Sequence, residues 1–380
     1  MRESTGNIVA ARNRPGAALV MAVVAMAVLG ALVAGVFFAA LREQRDGRDG
    51  LNRVTALAAA EYGLAPTLSP SVWRRSWNVT ASRGPIAQMV YAPMAGSSDS
   101  VRVWKLTRNG FLLQSSGTSG VADARASRRI ALLVALRIPS LAMRAAAIAS
   151  AGITASDSSL ISGRDTAPDR WECPPPGDTR PAALVPDSLL VSDAGCTNAP
   201  CIDGIPPVAS DSLAGTPGPY RRLGTLTRDS IAAAAEQLAP GAVYHQPAPA
   251  VDALGECDPA APGNLGDPLL ELGMHSPCAD HLPVLHVPGN MRIEGGAAQG
   301  MLLVDGDLAL ASGTQFSGVV LVGGVLEVTD GSSLDGAALA SRITVRGGSR
   351  LRYSSCAVER ALRGAAEPVI PRGMAWSEMY

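Results

Sequence analysis

The sequence predicts an α+β, membrane-anchored protein: a long N-terminal transmembrane helix, an antiparallel β meander, and a C-terminal β-solenoid of about three to four 18-residue coils. Three observations carry this expectation. No charged residue occurs from Pro15 to Leu41. Short alternating runs punctuated by turn residues follow between 66 and 165. Near the C-terminus, glycines recur at intervals of 18 residues.

The chain of 380 residues divides into a basic leader (1–16), the transmembrane helix (17–41), an amphipathic extension of it (42–65), the meander (66–165), a Pro/Gly-rich region pinned by disulfides (166–281), the solenoid (282–356), and a capping helix with a tail (357–380). Net charge is −1, so no bulk field recruits nucleic acid. Lys105 is the single lysine among the 32 basic residues, which points to codon bias rather than phosphate binding.

Residues 17–41 form about 37 Å of helix, enough for a bilayer core of about 30 Å and too long for the apolar part of an ordinary cleaved signal. Arg2, Arg12 and Arg14 precede the span, and Arg42, Arg45, Arg48 and Arg53 follow it, interleaved with acids. Basic residues alone therefore do not orient it. The six cysteines all lie after the span and fit an oxidising compartment, which places the C-terminal bulk outside the cytoplasm. Past the membrane, Leu51, Val54, Leu57, Ala58 and Tyr62 keep helical spacing. Gly47 and Gly50 suggest a hinge, and Pro66 a stop near Leu64.

The stretch Arg14-Pro15-Gly16-Ala17-Ala18-Leu19-Val20, the apolar run, and Arg42-Glu43-Gln44 through Ala59-Ala60-Glu61 resemble the N-terminus of PilX-type minor pilins. They are also similar to the K-type pseudopilins of type II secretion. The resemblance implies that prepilin peptidase cuts between Gly16 and Ala17, and that the helix packs with other pilin or pseudopilin subunits. It implies an inner-membrane, single-pass structural subunit with an extracytoplasmic head like that of pilins. Major pilins carry Phe and Glu at mature positions one and five. Ala17 and Met21 stand there in this chain, as in tip-located minor members.

In the meander, 72–79, 86–91, 101–107 and 111–115 read as strands, with Asn109-Gly110 as a hairpin turn. The run 129–138 suits a buried strand or a short helix, and the Pro139 that follows favours the strand. Trp73, Trp77 and Trp104 read as packing residues rather than a binding patch. In the middle region, Thr227 or Asp229 caps a short helix to Leu238. Cys196 with Cys201 and Cys257 with Cys278 are plausible disulfides, leaving Cys173 and Cys356, among about fifteen arithmetically allowed connectivities.

In the solenoid, Gly300, Gly318 and Gly336 align, as do Leu303, Leu321 and Leu339, and Met301, Val319 and Ala337. Leu308 with Leu326, Leu310 with Val328, and Phe316 with Leu334 continue the pattern. Thr344, Arg346 and Arg352 fall where apolar residues stood, as at a solenoid end. A polysaccharide-active enzyme needs an acidic column, but Asp305 gives way to Gly323 and Ser341, Asp307 to Val325 and Ile343, and Glu327 faces Ala309 and Val345. Asp305-Gly306-Asp307 reads as a turn. The spacing of His275, Cys278, His281 and His286 matches no zinc signature. The expected protein is a subunit without catalytic residues, metal or cofactor. The alternatives are an uncleaved envelope β-solenoid scaffold or adhesin and, further off, a membrane-bound polysaccharide enzyme.

Overall fold

The computed structural model describes residues 15–69, 73, 84–92, 97–120, 125–169, 171–193, 195–196, 200–215, 222–268, 270–271, 274–372 and 377–379. The expected strand 72–79, apart from Trp73, and the leader residues before Pro15 lie outside these.

One helix, α1 (Pro15–Thr67), runs 53 residues, about 80 Å at 1.5 Å per residue. It does not break at Gly47 or Gly50, and it passes the expected stop at Leu64 to end at Thr67, with Pro66 in its last turn. Glycine only weakens a helix by about 1 kcal/mol. Tertiary contacts further along outweigh that.

Four strands follow in meander order: β1 (Gly84–Tyr91), β2 (Ser97–Lys105), β3 (Gly110–Ser119) and β4 (Ala126–Arg137). All pair antiparallel. Alternation sends Val101 and Val103, Phe111 and Leu113, and Ile130, Leu132 and Val134 into one core. That core faces α1, which packs on β2, β3 and β4. The tail, expected after a capping helix, instead returns to this sheet. Glu367–Val369 and Ser377–Met379 both pair antiparallel with β4. The C-terminus therefore completes a sheet that residues 66–165 alone do not make.

Beyond β4 the strands are parallel. Two sheets, eleven- and seven-stranded among the described residues, contain parallel pairings throughout, a pattern consistent with a solenoid. Gly300 pairs Gly318, which pairs Gly336, so the glycine column is a real register. Gly318 and Gly336 both have φ +146°, and a Cβ on Gly336 would stand 1.8 Å from the Gly318 carbonyl oxygen. Only glycine fits that corner.

Four expectations for this region change. The 18-residue offset shortens to 17 beside Val325–Val328, where Leu326 pairs Ile343 and Val328 pairs Val345. The apolar columns thus continue through Ile343 and Val345 rather than decaying into Thr344 and Arg346. Glu327 accordingly pairs Thr344, not Val345, and Arg342 rather than Ile343 follows Val325.

Secondly, the stack extends well outside 282–356. Ala147–Ala149, Ile153–Ala155 and Leu160–Ser162 pair with Ser333–Ala340, Arg342–Val345 and Arg350–Tyr353. Ala183–Val185, Val191–Ser192 and Ile202–Asp203 stack on those in turn. At the far end, Glu236–Gln237 and Ala242–His245 pair with Val284–Val287 and Met291–Glu294. The last coil therefore needs no polar cap, because an earlier stretch of chain covers it. Residues 138–165 belong to this stack rather than to the meander, and 166–281 contributes strands as well as loops.

Thirdly, helix α2 (Arg228–Ala234) is capped by Thr227 in a capping box with Ser230. It stops short of Leu238 because Glu236–Gln237 joins the sheet. Finally, helix α3 (Ser355–Gly364) is not an end cap. It lies along the flank, against Ala297–Val304, Gln315–Val322 and Ser333–Ala340.

Disulfides join Cys173 to Cys356, Cys196 to Cys201 and Cys257 to Cys278. The first ties an early loop to α3 across 183 residues.

Candidate functional site: the N-terminal helix

The two halves of α1 have opposite surroundings. From Leu19 to Phe38 its large apolar side chains are uncovered on every side, with Met21 73% and Phe38 72% exposed. By length and composition this segment can cross a membrane. The Gly16–Ala17 bond lies in the first turn of α1, and the helix starts on Pro15, a residue suited to the first helical position. A mixed belt from Arg42 to Arg53 separates this half from the next.

The second half docks on the meander through small residues. Ala56, Ala59, Ala60 and Gly63 are buried, followed by Leu64. The approach is close: a Cβ on Gly117 of β3 would stand 2.1 Å from the Ala56 carbonyl oxygen. The Ser115 hydroxyl is 2.7 Å from the Ala60 carbonyl oxygen and 2.6 Å from Asp99 Oδ1. Asp99 Oδ2 is buried without a hydrogen-bond partner, pressed against Gly63. Burial pushes the Asp99 carboxyl up, against the Ser115 hydrogen bond. Trp73 sits at the same seam. Its indole N–H donates to the Thr67 carbonyl at 2.7 Å, and its ring meets Phe111 edge-on at 4.9 Å.

Of the expected face Leu51, Val54, Leu57, Ala58 and Tyr62, Leu57 packs partly against the meander core, while Leu51, Val54 and Tyr62 are left open at 66%, 67% and 55% exposure. A periodicity weighted by hydrophobicity selects large side chains. The docked stripe is made of alanine and glycine, which such a measure undervalues. The signal for it was present as Ala56, Ala59, Ala60 and Gly63 at helical spacing.

The other candidate residues do not converge. Cys278 is bonded to Cys257. His281 Nε2 faces the Asn264 carbonyl at 3.3 Å, and burial lowers its pKa. His286 lies between Gln237 and Asp305, and the side chain of His275 is outside the described residues. Among the described residues no three His, Cys, Asp or Glu side chains gather. Asp305 pairs with Arg228 of α2, while the Asp307 carboxylate accepts the Val325 backbone N–H at 2.7 Å. These acids pin chain to chain. Trp104 packs with its indole nitrogen buried, and Trp77 lies outside the described residues.

No protein-family model matches the chain, and no curated protein matches its sequence. The solved structures similar to it include two of distant sequence. One is the DUF3494 domain of ice-binding protein 1 from Shewanella frigidimarina, at 15% identity and TM-score 0.32, covering 58% of this chain and 99% of that one. The other is the competence-associated pilin ComZ from Thermus thermophilus, at 13% identity and TM-score 0.27, covering 86% of this chain and 97% of that one. Neither TM-score defines a shared fold, and the functional reading rests on the helix.

Proposed function

We propose that the chain is a pilin-like structural subunit of a type IV pilus or type II secretion system, with the layout of a PilX-type minor pilin or K-type pseudopilin. Residues 17–41 sit in the inner membrane as a single span. The meander and solenoid stand in the periplasm or at the cell surface. Prepilin peptidase removes the leader between Gly16 and Ala17. The chain performs no catalysis, binds no cofactor, and has the bilayer and other pilin subunits as partners.

One observation carries the reading. A single unbroken helix exposes its apolar first half on all sides, while its second half is docked on one face and open on the other. Lipid accounts for the first half. It does not account for Leu51, at the end of the charged belt, or for Val54 and Tyr62 beyond it, Tyr62 about 30 Å along the axis from Leu41. A neighbouring helix is the partner that suits an apolar stripe at that height. Three disulfides support an oxidising compartment for the body.

The test is the N-terminal residue of the full chain from membranes of cells carrying a prepilin peptidase, read by mass spectrometry. We expect a chain starting at Ala17, and its loss when Gly16 is replaced by a bulky residue. A chain retaining Met1 overturns the filament reading. It would favour a fixed envelope scaffold or adhesin, a second reading that Met21, at the position of the usual carboxylate, supports.

A further inference from the structure

A polar groove of about 300 Å³ lies on the body, outside α1 and its docking sheet. Its floor is formed by Gln315–Val322, Ser333–Ala340 and Arg350–Tyr353 in parallel register. Phe316, Leu334 and Leu351 are buried in the core. The alternating residues Gln315, Ser317, Ser333, Asp335, Arg350 and Arg352 line the groove. The floor's backbone groups are used within the ladders, so recognition there passes through side chains.

The walls are braced. The Trp171 indole N–H donates to the Pro268 carbonyl at 3.1 Å, and the Arg360 guanidinium stacks 4.2 Å from the Trp171 ring centroid. Arg352 donates two hydrogen bonds to Asp335 at 2.7 and 2.9 Å, and Asp169 stands 4.0 Å from the same guanidinium. Gly331 and Gly348 also line the groove, at φ +74° and +71°. No atom lies within 4 Å of a Cβ at either, which leaves that rim open.

We propose that this groove binds a neutral, polyhydroxylated ligand, a short segment of oligosaccharide. Its charges cancel: Asp169 and Asp335 balance Arg350 and Arg352, so it has no net field for an ion. An anion would meet two carboxylates and a cation two guanidiniums. The Gln315 amide and the Ser317 and Ser333 hydroxyls offer both donors and acceptors, which suits vicinal hydroxyls. Pro168 and Pro268, with the small exposed part of the otherwise buried Trp171, supply an apolar edge for the C–H face of a sugar ring. Strand spacing of about 4.8 Å sets the outer floor strands about 10 Å apart, the scale of a short oligosaccharide.

The groove is presented alike by a filament subunit and by a fixed anchor, so the proposal does not depend on leader cleavage. The full chain in detergent is titrated by calorimetry with neutral, sulfated and uronic-acid oligosaccharides of matched length. We expect neutral sugars to bind, Ser333→Trp to fill the groove and abolish binding, and Gln315→Ala to weaken it about tenfold. Gln315 is exposed and Ser333 half-buried, so both variants keep the wild-type melting curve. Three results overturn the proposal: no neutral sugar bound at about 10 mM, stronger binding of anionic sugars, or affinity unchanged in both variants. A chain that keeps Met1 but binds neutral sugars would sink the filament reading alone.

Discussion

The meander and the solenoid solve one problem, covering apolar strands, in opposite ways. The meander pairs neighbours in sequence and covers its single apolar face with α1. The solenoid pairs segments about 17 or 18 residues apart and is interrupted, since residues 147–162 stack on a coil that ends at Tyr353. Apart from the two tail strands on β4, contacts in the first are local, whereas in the second the join depends on distant parts of the chain meeting. The described disulfides all lie in the second region and none in the first. A local sheet needs no staple, and an interrupted stack gains most from one that closes a long loop.

Removing that staple is the strongest way to break the comparison. For a loop of 183 residues, chain entropy assigns the Cys173–Cys356 bond about 5 kcal/mol, against about 2 kcal/mol for Cys196–Cys201. We expect the double variant Cys173→Ala/Cys356→Ala to lose amide hydrogen-exchange protection in Gln315–Val322 and Leu160–Ser162. The β2–β3 hairpin should keep its protection. Equal loss in both regions would show that they unfold as one cooperative unit.

The same contrast explains what could be read from sequence. The coil columns were legible because glycine corners and alternating apolar residues repeat, and every aligned pair from Leu303–Leu321 to Phe316–Leu334 is a true register. The join was not legible. Ala147–Ala149 and Ile153–Ala155 are three residues each, too short for periodicity, and their pairing is set by a partner almost 200 residues away. The returning tail strands, also three residues each, were hidden for the same reason. At the helix, the apolar span was plain, but the docked face was not, because Ala56, Ala60 and Gly63 bind by nearness rather than by size.

Close approach gives the second test. Gly336→Ala puts a Cβ at φ +146° against the backbone of the neighbouring coil, where nothing flexible can yield. We expect about 3 kcal/mol of destabilisation, read by denaturant unfolding. Gly117→Ala meets the Ala56 carbonyl oxygen at 2.1 Å, but α1 can lift as a unit. There we expect about 1–2 kcal/mol, with exchange quickened at the helix–sheet seam alone. A larger cost at Gly117 than at Gly336 would mean that the helix, not the solenoid, is the rigid part.

The smallest effect has opposite signs in the two regions. Burial raises the Asp99 carboxyl above its ordinary 3.8, so the folded meander keeps a proton that the unfolded chain releases. Its contribution is full below 3.8 and is lost as pH rises through the raised folded value. Burial lowers the His281 pKa below 6.5, so the folded solenoid refuses a proton that the unfolded chain accepts. Its contribution is full above 6.5 and is lost as pH falls through the lowered value. Asp99→Asn should therefore flatten the pH dependence of exchange in β3 above 3.8, and His281→Gln should flatten that of Val284–Val287 below 6.5. Comparing each variant with the parent chain at the same pH cancels the other titrating groups, including Asp335, whose carboxyl burial also raises. If Asp99→Asn left the β3 profile unchanged, the carboxylate against Gly63 would be solvated through an opening of α1, and the docked half of the helix would be as mobile as the seam around it.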